Sequence, residues 1–215
     1  MKLFFLFCCG SLLLTACGNS GSKTTKTFCD TTCQKDSFKF TDPSRFKPTV
    51  TIGIKDCAPD TLTWTHERMD MSRQRQMTDY LGQSVRLNPS NINCVFKDTS
   101  YAWLTFNDCI TGRGYLLKLS FAKHGEGFKS TSALNSFDPK FVVAPDLRAY
   151  TDRGNIFVID VNSDKVAQMS FKEPYDMDFN KIHDAIDSIN VSHKHIYVKL
   201  LKEGKEIPME KNIDM

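Results

Sequence analysis

Strand and turn signals alternate in the stretch Ala149-Tyr-Thr-Asp-Arg-Gly-Asn-Ile-Phe-Val-Ile-Asp-Val-Asn-Ser-Asp-Lys-Val166. A strand-like run leads into the turn at Arg153-Gly154, and a second run, rich in β-branched residues, follows it and ends at Asp160. Asn162-Ser-Asp164 then supplies another turn. Short runs of this composition, bounded by Gly, Asn and Asp, are typical of antiparallel strands joined by tight turns. The stretch therefore predicts a β-meander.

Alternation of apolar and polar residues extends this prediction along the chain. Val50, Ile52 and Ile54 alternate with small or polar residues, which is typical of a half-buried strand. Trp64 and Trp103 stand in similar patterns, so we expect both in the core. Further candidate strands are Ser37–Phe40, Thr61–Thr65, Ile92–Phe96, Tyr101–Asn107, Tyr115–Phe121, Asn155–Val161 and His195–Leu201. The pattern predicts an all-β chain.

Two segments have helical spacing instead. Asp178 is placed to cap the first turn of one predicted helix, and a second short helix is predicted near Met77–Leu81. The first helix rests on four apolar residues at intervals of three and four: Phe179, Ile182, Ile186 and Ile189. The predicted fold class is therefore all-β with one short helical insertion.

A faint repeat of forty residues indicates how the meanders are organised. Leu116, Ile156 and Ile196 occupy matching places in three similar segments at this interval. About forty residues is the length of one four-stranded propeller blade. Any antiparallel β-meander also produces such spacings. Propeller-like blades and a β-sandwich are therefore both compatible with the sequence.

Composition excludes several classes of protein. The 215 residues include 28 Lys and Arg against 25 Asp and Glu, a net charge of +3. This balance is too even for a dedicated nucleic-acid binder, so we expect no nucleic-acid partner. Hydrophobic residues make up 40% of the chain and charged residues 25%, as in ordinary globular proteins and unlike disordered ones.

The N-terminus has the features of an export signal. An apolar run, Leu3 to Leu14, is too short to span a bilayer as a helix, which needs about 20 residues, but suits a signal peptide. Leu14-Thr15-Ala16-Cys17, which follows, resembles the lipobox of bacterial lipoproteins at all four positions. The resemblance implies cleavage before Cys17 and acylation of that residue, so residues 1–16 are expected to be a cleaved signal peptide.

Beyond Cys17 we expect a flexible tether and a folded body. Residues 17–27 are rich in Gly, Ser and Thr and form the expected tether, and residues 28–215 are expected to form a single β-rich domain. The body resembles uncharacterised lipoproteins of Bacteroidota-type bacteria. Gly18 after the lipobox cysteine implies, by resemblance to proteobacterial lipoproteins, sorting to the outer membrane. The expected location is the bacterial cell envelope, with the membrane contacted through the N-terminal lipid.

The remaining cysteines are disulfide candidates, because export places them where disulfides persist. Cys29 and Cys33 are close enough for a local loop, and Cys94 and Cys109 flank two strand-like runs that a bridge could join. The full set after Cys17 is Cys29, Cys33, Cys57, Cys94 and Cys109. Five is odd, so at least one thiol is expected to stay free or to pair between molecules. The pairing itself cannot be derived from the spacing.

Metal-binding patterns are weak. His193 and His195 share one face of a strand entry, but no third ligand stands at a recognisable spacing. A calcium-loop pattern from Asp176 to Asp187 has Lys181 where the turn glycine belongs. Asp160-Val-Asn162-Ser-Asp164 is explained by a hairpin turn. We therefore predict no metal and no cofactor.

Two functions from different classes fit these features. The first is a non-enzymatic, lipid-anchored binding or structural module of the envelope, with a protein partner as one option. It is motivated by a folded body on a tether and by the lack of a nucleophile elbow, phosphate loop or zinc motif in the sequence. The alternative is a hydrolase of envelope or extracellular polymers that uses paired carboxylates, with Asp146, Asp152 and Asp176 as candidates.

Overall fold

The computed structural model describes residues 27–171 and 185–215. Its helices are α1 (Met77–Leu81) and a 3₁₀ helix at Pro89–Asn91. The strands in chain order are β1 (Phe38–Thr41), β2 (Thr49–Lys55), β3 (Ala58–Thr65), β4 (Arg73–Gln76), β5 (Ile92–Lys97), β6 (Tyr101–Asn107), β7 (Gly114–Ser120), β8 (Phe128–Ser130), β9 (Ala133–Leu134), β10 (Phe141–Val143), β11 (Leu147–Asp152), β12 (Asn155–Asp160), β13 (Val166–Ser170), β14 (Ile186–Val191), β15 (His195–Lys202) and β16 (Lys205–Asn212).

These strands form four sheets of four strands each. The first sheet has the order β1-β2-β3-β4 and the second β5-β6-β7-β8. The third has the order β9-β11-β12-β13 and the fourth β10-β14-β15-β16. Neighbouring strands pair antiparallel throughout, apart from the parallel pair of β10 and β14. The prediction of an all-β chain of antiparallel meanders is confirmed.

The sheets pack face to face in chain order. One cluster of buried residues joins the first and second sheets, with Ile52 and Leu62 on one side and Leu104 on the other. Another cluster of buried residues lies between the second and third sheets, and one more lies between the third and fourth sheets. Within the described ranges, none of these clusters contains residues of both the first and the fourth sheet. The described sheets therefore form a row of units the size of propeller blades, packed face to face as in a sandwich.

The forty-residue repeat corresponds to a real structural position. Leu116 lies on β7, Ile156 on β12 and Ile196 on β15, and each of these is the third strand of its sheet. All three side chains are fully buried. Leu116 faces the following sheet, whereas Ile196, on the last sheet, packs in the cluster between the third and fourth sheets. The repeat therefore preserves strand position, but the last copy turns its apolar residue back toward the preceding sheet.

The third and fourth sheets are interleaved along the chain. β9 pairs with β11 in the third sheet, yet β10, which lies between them in sequence, pairs with β14 in the fourth. Phe141 of β10 is 2% exposed and packs in the cluster shared by these two sheets. The chain thus crosses into the fourth sheet and returns before the third is complete.

The predicted helix around Asp178 is wrong at its C-terminal end. Ala185 is helical, but Ile186 and Ile189 lie on β14, while Phe179, Ile182 and Asp178 lie outside the described residues. The register of β14 against β15 shifts between Ile186 and Ser188, as at a β-bulge. Because a bulge inserts one extra residue, two side chains three positions apart both face the core. A bulged strand therefore imitates the spacing of a helix.

The short helix predicted near Met77–Leu81 is confirmed as α1. Met77 and Leu81 are buried against the first two sheets, and Gly82 ends the helix with a φ of 80°. A left-handed residue at this position is the usual way a helix ends, and glycine adopts it without strain. The prediction that Trp64 and Trp103 lie in the core is also confirmed, with exposed fractions of 7% and 2%.

Candidate functional site

The junction between the second and third sheets carries the polar groups that best define a site. On β6, alternate side chains point to opposite faces, so Tyr101, Trp103 and Thr105 all face the third sheet. Every residue of β6 is buried, because the strand is covered on both faces. A threonine in this position is therefore enclosed between two sheets.

Aromatic rings fill the middle of the junction. Trp103 contacts Tyr101 edge to face at a centroid distance of 6.1 Å and Phe128 at 6.0 Å. Phe128 lies 5.0 Å from Tyr150 of the third sheet, and Tyr150 stacks on Phe157. Such ring pairs add about 0.5–1.5 kcal/mol each beyond the area they bury. The rings therefore hold the two sheets together.

One end of the junction carries an ionic cluster around Asp164, which borders a cavity of about 300 Å³. Its carboxylate accepts a hydrogen bond from the Tyr101 hydroxyl at 2.9 Å and ion pairs from Lys118 at 3.3 Å and Lys97 at 3.5 Å. Burial would raise the pKa of Asp164, but the Tyr101 hydrogen bond and the two lysine charges outweigh it and lower this pKa. Every charge in this cluster has a partner, so it is best explained as a structural clasp.

The other end of the junction opens into a pocket of about 210 Å³. Its polar residues include Thr105 and Asn93 from the second sheet and Arg148 from the third. Its walls are mostly apolar: Leu116, Ala133, Leu134, Phe137, Val143, Ala144, Pro145, Leu147 and Ala149. We call this the junction pocket. No Asp, Glu or His is among its described lining residues, and Arg148 is the one charged side chain there.

Arg148 faces the junction because of its position on β11. It pairs in register with Ile159, which packs in the cluster between the second and third sheets. Its Nη1 donates to the carbonyls of Pro145 at 2.8 Å and Leu147 at 2.7 Å. Its Nε is buried and has no hydrogen-bond partner in the described structure. The guanidinium is thus anchored at one nitrogen and unpartnered at another.

No carboxylate forms a direct ion pair with Arg148 within the described residues. Asp146 is near enough to raise the pKa of the guanidinium, but burial has the larger effect and lowers it. Asp146 forms its ion pair with His193, at 3.0 Å. A half-buried cation whose charge is offset only by a more distant carboxylate is costly, since charges in protein interiors are normally paired.

Thr105 contributes the second unpartnered group. The residue is 8% exposed, and its Oγ1 has no hydrogen-bond partner among the described residues. Asn93 lies opposite it on β5 and Leu116 opposite it on β7, so it stands in the centre of a row across the sheet. A buried polar atom without a partner costs about 1–3 kcal/mol. The mostly apolar wall of the junction pocket therefore contains two residues, each with one buried polar atom that has no hydrogen-bond partner.

A second cavity, of about 300 Å³, lies beside the first and second sheets and is rich in cations. Lys129 donates to the Tyr80 carbonyl at 2.6 Å, and Lys118 pairs with Asp164. Arg73 donates to the Ala122 carbonyl, but its Nε, like that of Arg148, is buried without a partner. We call this the basic groove. Its lining is more polar than that of the junction pocket, so it is a weaker candidate for an apolar ligand.

The structure does not bring together the carboxylates considered for a hydrolase. Asp146 directly precedes β11, and Asp152 is the last residue of that strand. Six residues of strand separate them by about 20 Å, and the paired carboxylates of glycosidases lie about 5–10 Å apart. Asp176 lies outside the described residues.

The histidines and turn aspartates have local partners. His193 pairs with Asp146, and His195 pairs with Glu210 at 3.3 Å. Asp160 accepts hydrogen bonds from the Asn162 and Ser163 backbone N–H groups and from the Ser163 hydroxyl, in agreement with a hairpin turn. Over residues 27–171 and 185–215, no three His, Cys, Asp or Glu side chains cluster closely enough for a metal ion. Of the calcium-loop pattern, only Asp187 is described, on β14.

Four of the five candidate cysteines form disulfides. Cys29 pairs with Cys109 and Cys33 with Cys57, whereas Cys94 has a free thiol. These are neither the local Cys29–Cys33 loop nor the Cys94–Cys109 bridge considered from the sequence. The odd count does leave one free thiol. Burial raises the pKa of the Cys94 thiol to about 12 and makes it a poor nucleophile.

The predicted lipid site lies outside the structure. Cys17, the signal peptide and residues 18–26 of the tether are not among the described residues. Where the chain is described, no helix is both long and apolar enough to cross a membrane.

The sequence contained few signals for the junction pocket. Arg148 stands between Leu147 and Ala149, an alternation that in isolation indicates a solvent-facing arginine. Thr105 is an ordinary strand residue between Leu104 and Phe106. Both residues become part of a pocket only because the second sheet packs over the third, which local sequence patterns do not reveal. No model of a known protein family matches the chain, and a search of curated proteins finds no similar one.

Proposed function

We propose that the protein is a lipid-anchored, non-enzymatic binding module of the bacterial cell envelope, attached through Cys17 and most suited to the outer membrane. The anchor part of the proposal comes from the lipobox-like Leu14-Thr15-Ala16-Cys17 after an apolar run. The binding part comes from the row of sheets, which presents a half-open, mostly apolar pocket at the junction of the second and third.

The observation that carries the binding role is the chemistry of the junction pocket. Arg148 Nε and Thr105 Oγ1 are buried there without partners, and no acid or imidazole is among the described lining residues. Hydrolysis by general acid and base needs at least one titratable group within hydrogen-bond reach of the substrate. A lining of this kind supports recognition better than it supports hydrolysis of a polymer.

The anchor is tested by lipid labelling. The full-length chain and the variant Cys17→Ala are expressed in a bacterium that processes lipoproteins, and the cells are fed an alkyne-bearing palmitate. The wild type should incorporate the label and fractionate with membranes. The Cys17→Ala variant should incorporate at least 10-fold less label than the wild type. Equal labelling of the two chains would contradict the anchor. Cys94→Ala, which removes a thiol of the folded body, serves as the matched control and should label normally.

The partner and the hydrolase alternative are tested on the same membranes. Crosslinking followed by purification of the full-length chain should return one reproducible envelope protein, and an empty result under several crosslinkers would count against a protein partner. For the alternative, purified chain incubated with envelope polysaccharide should release no reducing sugar. Release that is lost in Asp146→Asn or Asp152→Asn would establish the hydrolase instead.

A further inference from the structure

The junction pocket selects for the charge of its ligand. Arg148 is the one charged residue among the described lining residues, and the nearby Asp146 is ion-paired with His193 rather than with it. A guanidinium matches the planar oxygens of a carboxylate, to which it donates parallel hydrogen bonds. One ligand charge would balance one guanidinium, whereas a phosphate dianion would bring a second charge with no cation in the lining to meet it. The pocket therefore favours a monoanion.

The position of Thr105 adds a second polar contact. Its hydroxyl is enclosed between the two sheets without a partner, and a rotation of the side chain would let it donate to an acceptor in the pocket. Arg148 comes from the third sheet and Thr105 from the second, so a bound acceptor would contact both sides of the junction. The donors that receive the ligand thus belong to two different sheets.

The walls and the volume define the remainder of the ligand. Leu116, Leu134, Phe137 and Val143 give the pocket an apolar lining suited to a hydrocarbon chain. The volume of about 210 Å³ is below the ~300 Å³ at which pockets for drug-sized ligands begin. A short aliphatic chain fits this space.

We propose that the junction pocket binds a small aliphatic monocarboxylate, with its carboxylate against Arg148 and Thr105 and its chain among the apolar walls. This ligand class deepens the binding role proposed above and rests on it for its place in the envelope. The site requires no covalent step, metal or cofactor. The carboxylate would supply an acceptor to donors that have no partner in the described structure, and the apolar lining would gain a matching chain.

Calorimetric titration of the full-length chain in a non-ionic detergent, with both disulfides intact, tests the proposal directly. The probe is hexanoate, and the matched neutral probe is hexan-1-ol, which keeps the chain and loses the charge. Hexanoate should bind at least 10-fold more tightly than hexan-1-ol. Its binding should show a negative heat-capacity change, as apolar burial requires.

Three variants locate the binding. Arg148→Met keeps the apolar stem and removes the guanidinium, so hexanoate affinity should fall at least 10-fold. Thr105→Val keeps the shape of the side chain and should weaken binding about 3- to 10-fold, as expected from the loss of one hydrogen bond to a charged group. Arg75→Met makes the same charge change on the exposed β4 and should bind normally. Should Arg148→Met not fold, Arg148→Lys keeps the charge, loses the planar fork and should still weaken binding.

Several outcomes would overturn the ligand class. These are hexanoate affinity unchanged in Arg148→Met or Arg148→Lys, hexan-1-ol binding as tightly as hexanoate, inorganic phosphate competing on equal terms, or no heat from any probe, as expected if the pocket holds water alone. Each of these would leave lipid labelling through Cys17 untouched. Conversely, failure of the labelling experiment would contradict the proposed anchor without affecting hexanoate binding, so the two failures are distinguishable.

Discussion

The two pairs of sheets are held together by different means. In the first pair, formed by the first and second sheets, disulfides Cys29–Cys109 and Cys33–Cys57 fix the segment before β1 to the body of the fold. In the second pair, formed by the third and fourth sheets, there is no cysteine after Cys109. These sheets are connected by β10, which leaves the third sheet to pair in parallel with β14 of the fourth.

The cores of the two pairs differ in the type of side chain that fills them. The buried cluster of the first pair contains large aromatic residues, among them Trp64, Phe106 and Tyr115. The cluster of the second pair is mostly aliphatic, with Ile156, Val198 and other branched residues between the sheets. In the first pair, disulfides hold a leading segment that forms no strand. In the second pair, one strand from within the third sheet's part of the chain joins the fourth sheet. The junction pocket lies where these two constructions meet.

The largest expected effect comes from removing the longer disulfide. The double variant Cys29→Ala and Cys109→Ala opens a loop of sequence separation 80, so chain entropy predicts a loss of about 4.5 kcal/mol in the free energy of unfolding. Removing Cys33–Cys57, of separation 24, should cost about 3.4 kcal/mol on the same scale. Chemical denaturation of both double variants measures these losses. A larger loss for the shorter bridge would contradict the entropic account of the first pair.

Disrupting β10 should damage the second pair by nearly as much. Phe141→Ala removes a side chain that is 2% exposed, and such a truncation costs about 3–5 kcal/mol. Its neighbour Val142 is 55% exposed on the same strand, so Val142→Ala is the matched control and should cost less than about 0.5 kcal/mol. Hydrogen exchange should show Phe141→Ala loosening β14 and β15 before β2 and β3. The opposite order would show that the two pairs do not differ as described.

Much of this organisation follows from local patterns, and the exceptions have physical causes. Strands β2, β6 and β12 were predictable because they alternate apolar and polar residues or form continuous buried runs. The edge strands β4 and β16 escaped prediction, because β4 is polar throughout and Pro208 interrupts β16. An edge strand tolerates both features, since one side of it pairs with no neighbour.

The errors concern contacts between distant parts of the chain. β14 was taken for a helix because its bulge places Ile186 and Ile189 on one face, and such a bulge is a property of pairing with β15. The disulfides join cysteines that are separated by 80 and 24 residues rather than the pairs that sequence proximity favours. The junction pocket depends on the second sheet covering Arg148. None of these contacts is encoded in local spacing.

A smaller loss in the free energy of unfolding is expected from changing a turn aspartate in the second pair, with a turn aspartate in the first pair as the control. In the β12–β13 turn, the Asp160 carboxylate accepts hydrogen bonds from the Asn162 backbone N–H and from the Ser163 hydroxyl. These bonds lower the pKa of Asp160 from its usual 3.8. Since the folded-state pKa lies below the unfolded one, the carboxylate stabilises the fold above about pH 4 and this contribution is lost as pH falls through the folded-state pKa. Asp160→Asn should therefore cost about 1 kcal/mol at neutral pH and nothing at low pH.

The turn between β5 and β6 in the first pair provides the control. Asp98 occupies that turn in a left-handed conformation, with a φ of 47°. Asparagine adopts this conformation as readily as aspartate, so Asp98→Asn changes the charge without straining the backbone. Its unfolding free energy should follow that of the wild type within about 0.5 kcal/mol at every pH. A cost for Asp160→Asn that persists undiminished at low pH would show that the Asp160 carboxylate is not responsible.

The smallest expected effect concerns Cys94, the cysteine of the first pair that forms no disulfide. With its thiol pKa raised to about 12, about one thiol in 10⁴ is ionised at pH 8. Native protein should therefore react with a thiol reagent at least 1,000-fold more slowly than a free cysteine, and unfolding without reductant should release one reactive thiol per folded body. Rapid labelling of Cys94 in the native state would show that the packing between the first two sheets is looser than described.

Methyl NMR with hexanoate shows whether the junction between the two pairs of sheets is a ligand site. Labelled Leu, Val and Ala methyl groups report on both sides of the pocket at once. Hexanoate should shift Leu116 of the second sheet together with Ala133 and Leu134 of the third, and Arg148→Met should abolish these shifts. Shifts confined to Leu119, which lines the basic groove, or no shift at either place, would contradict a ligand site at the junction.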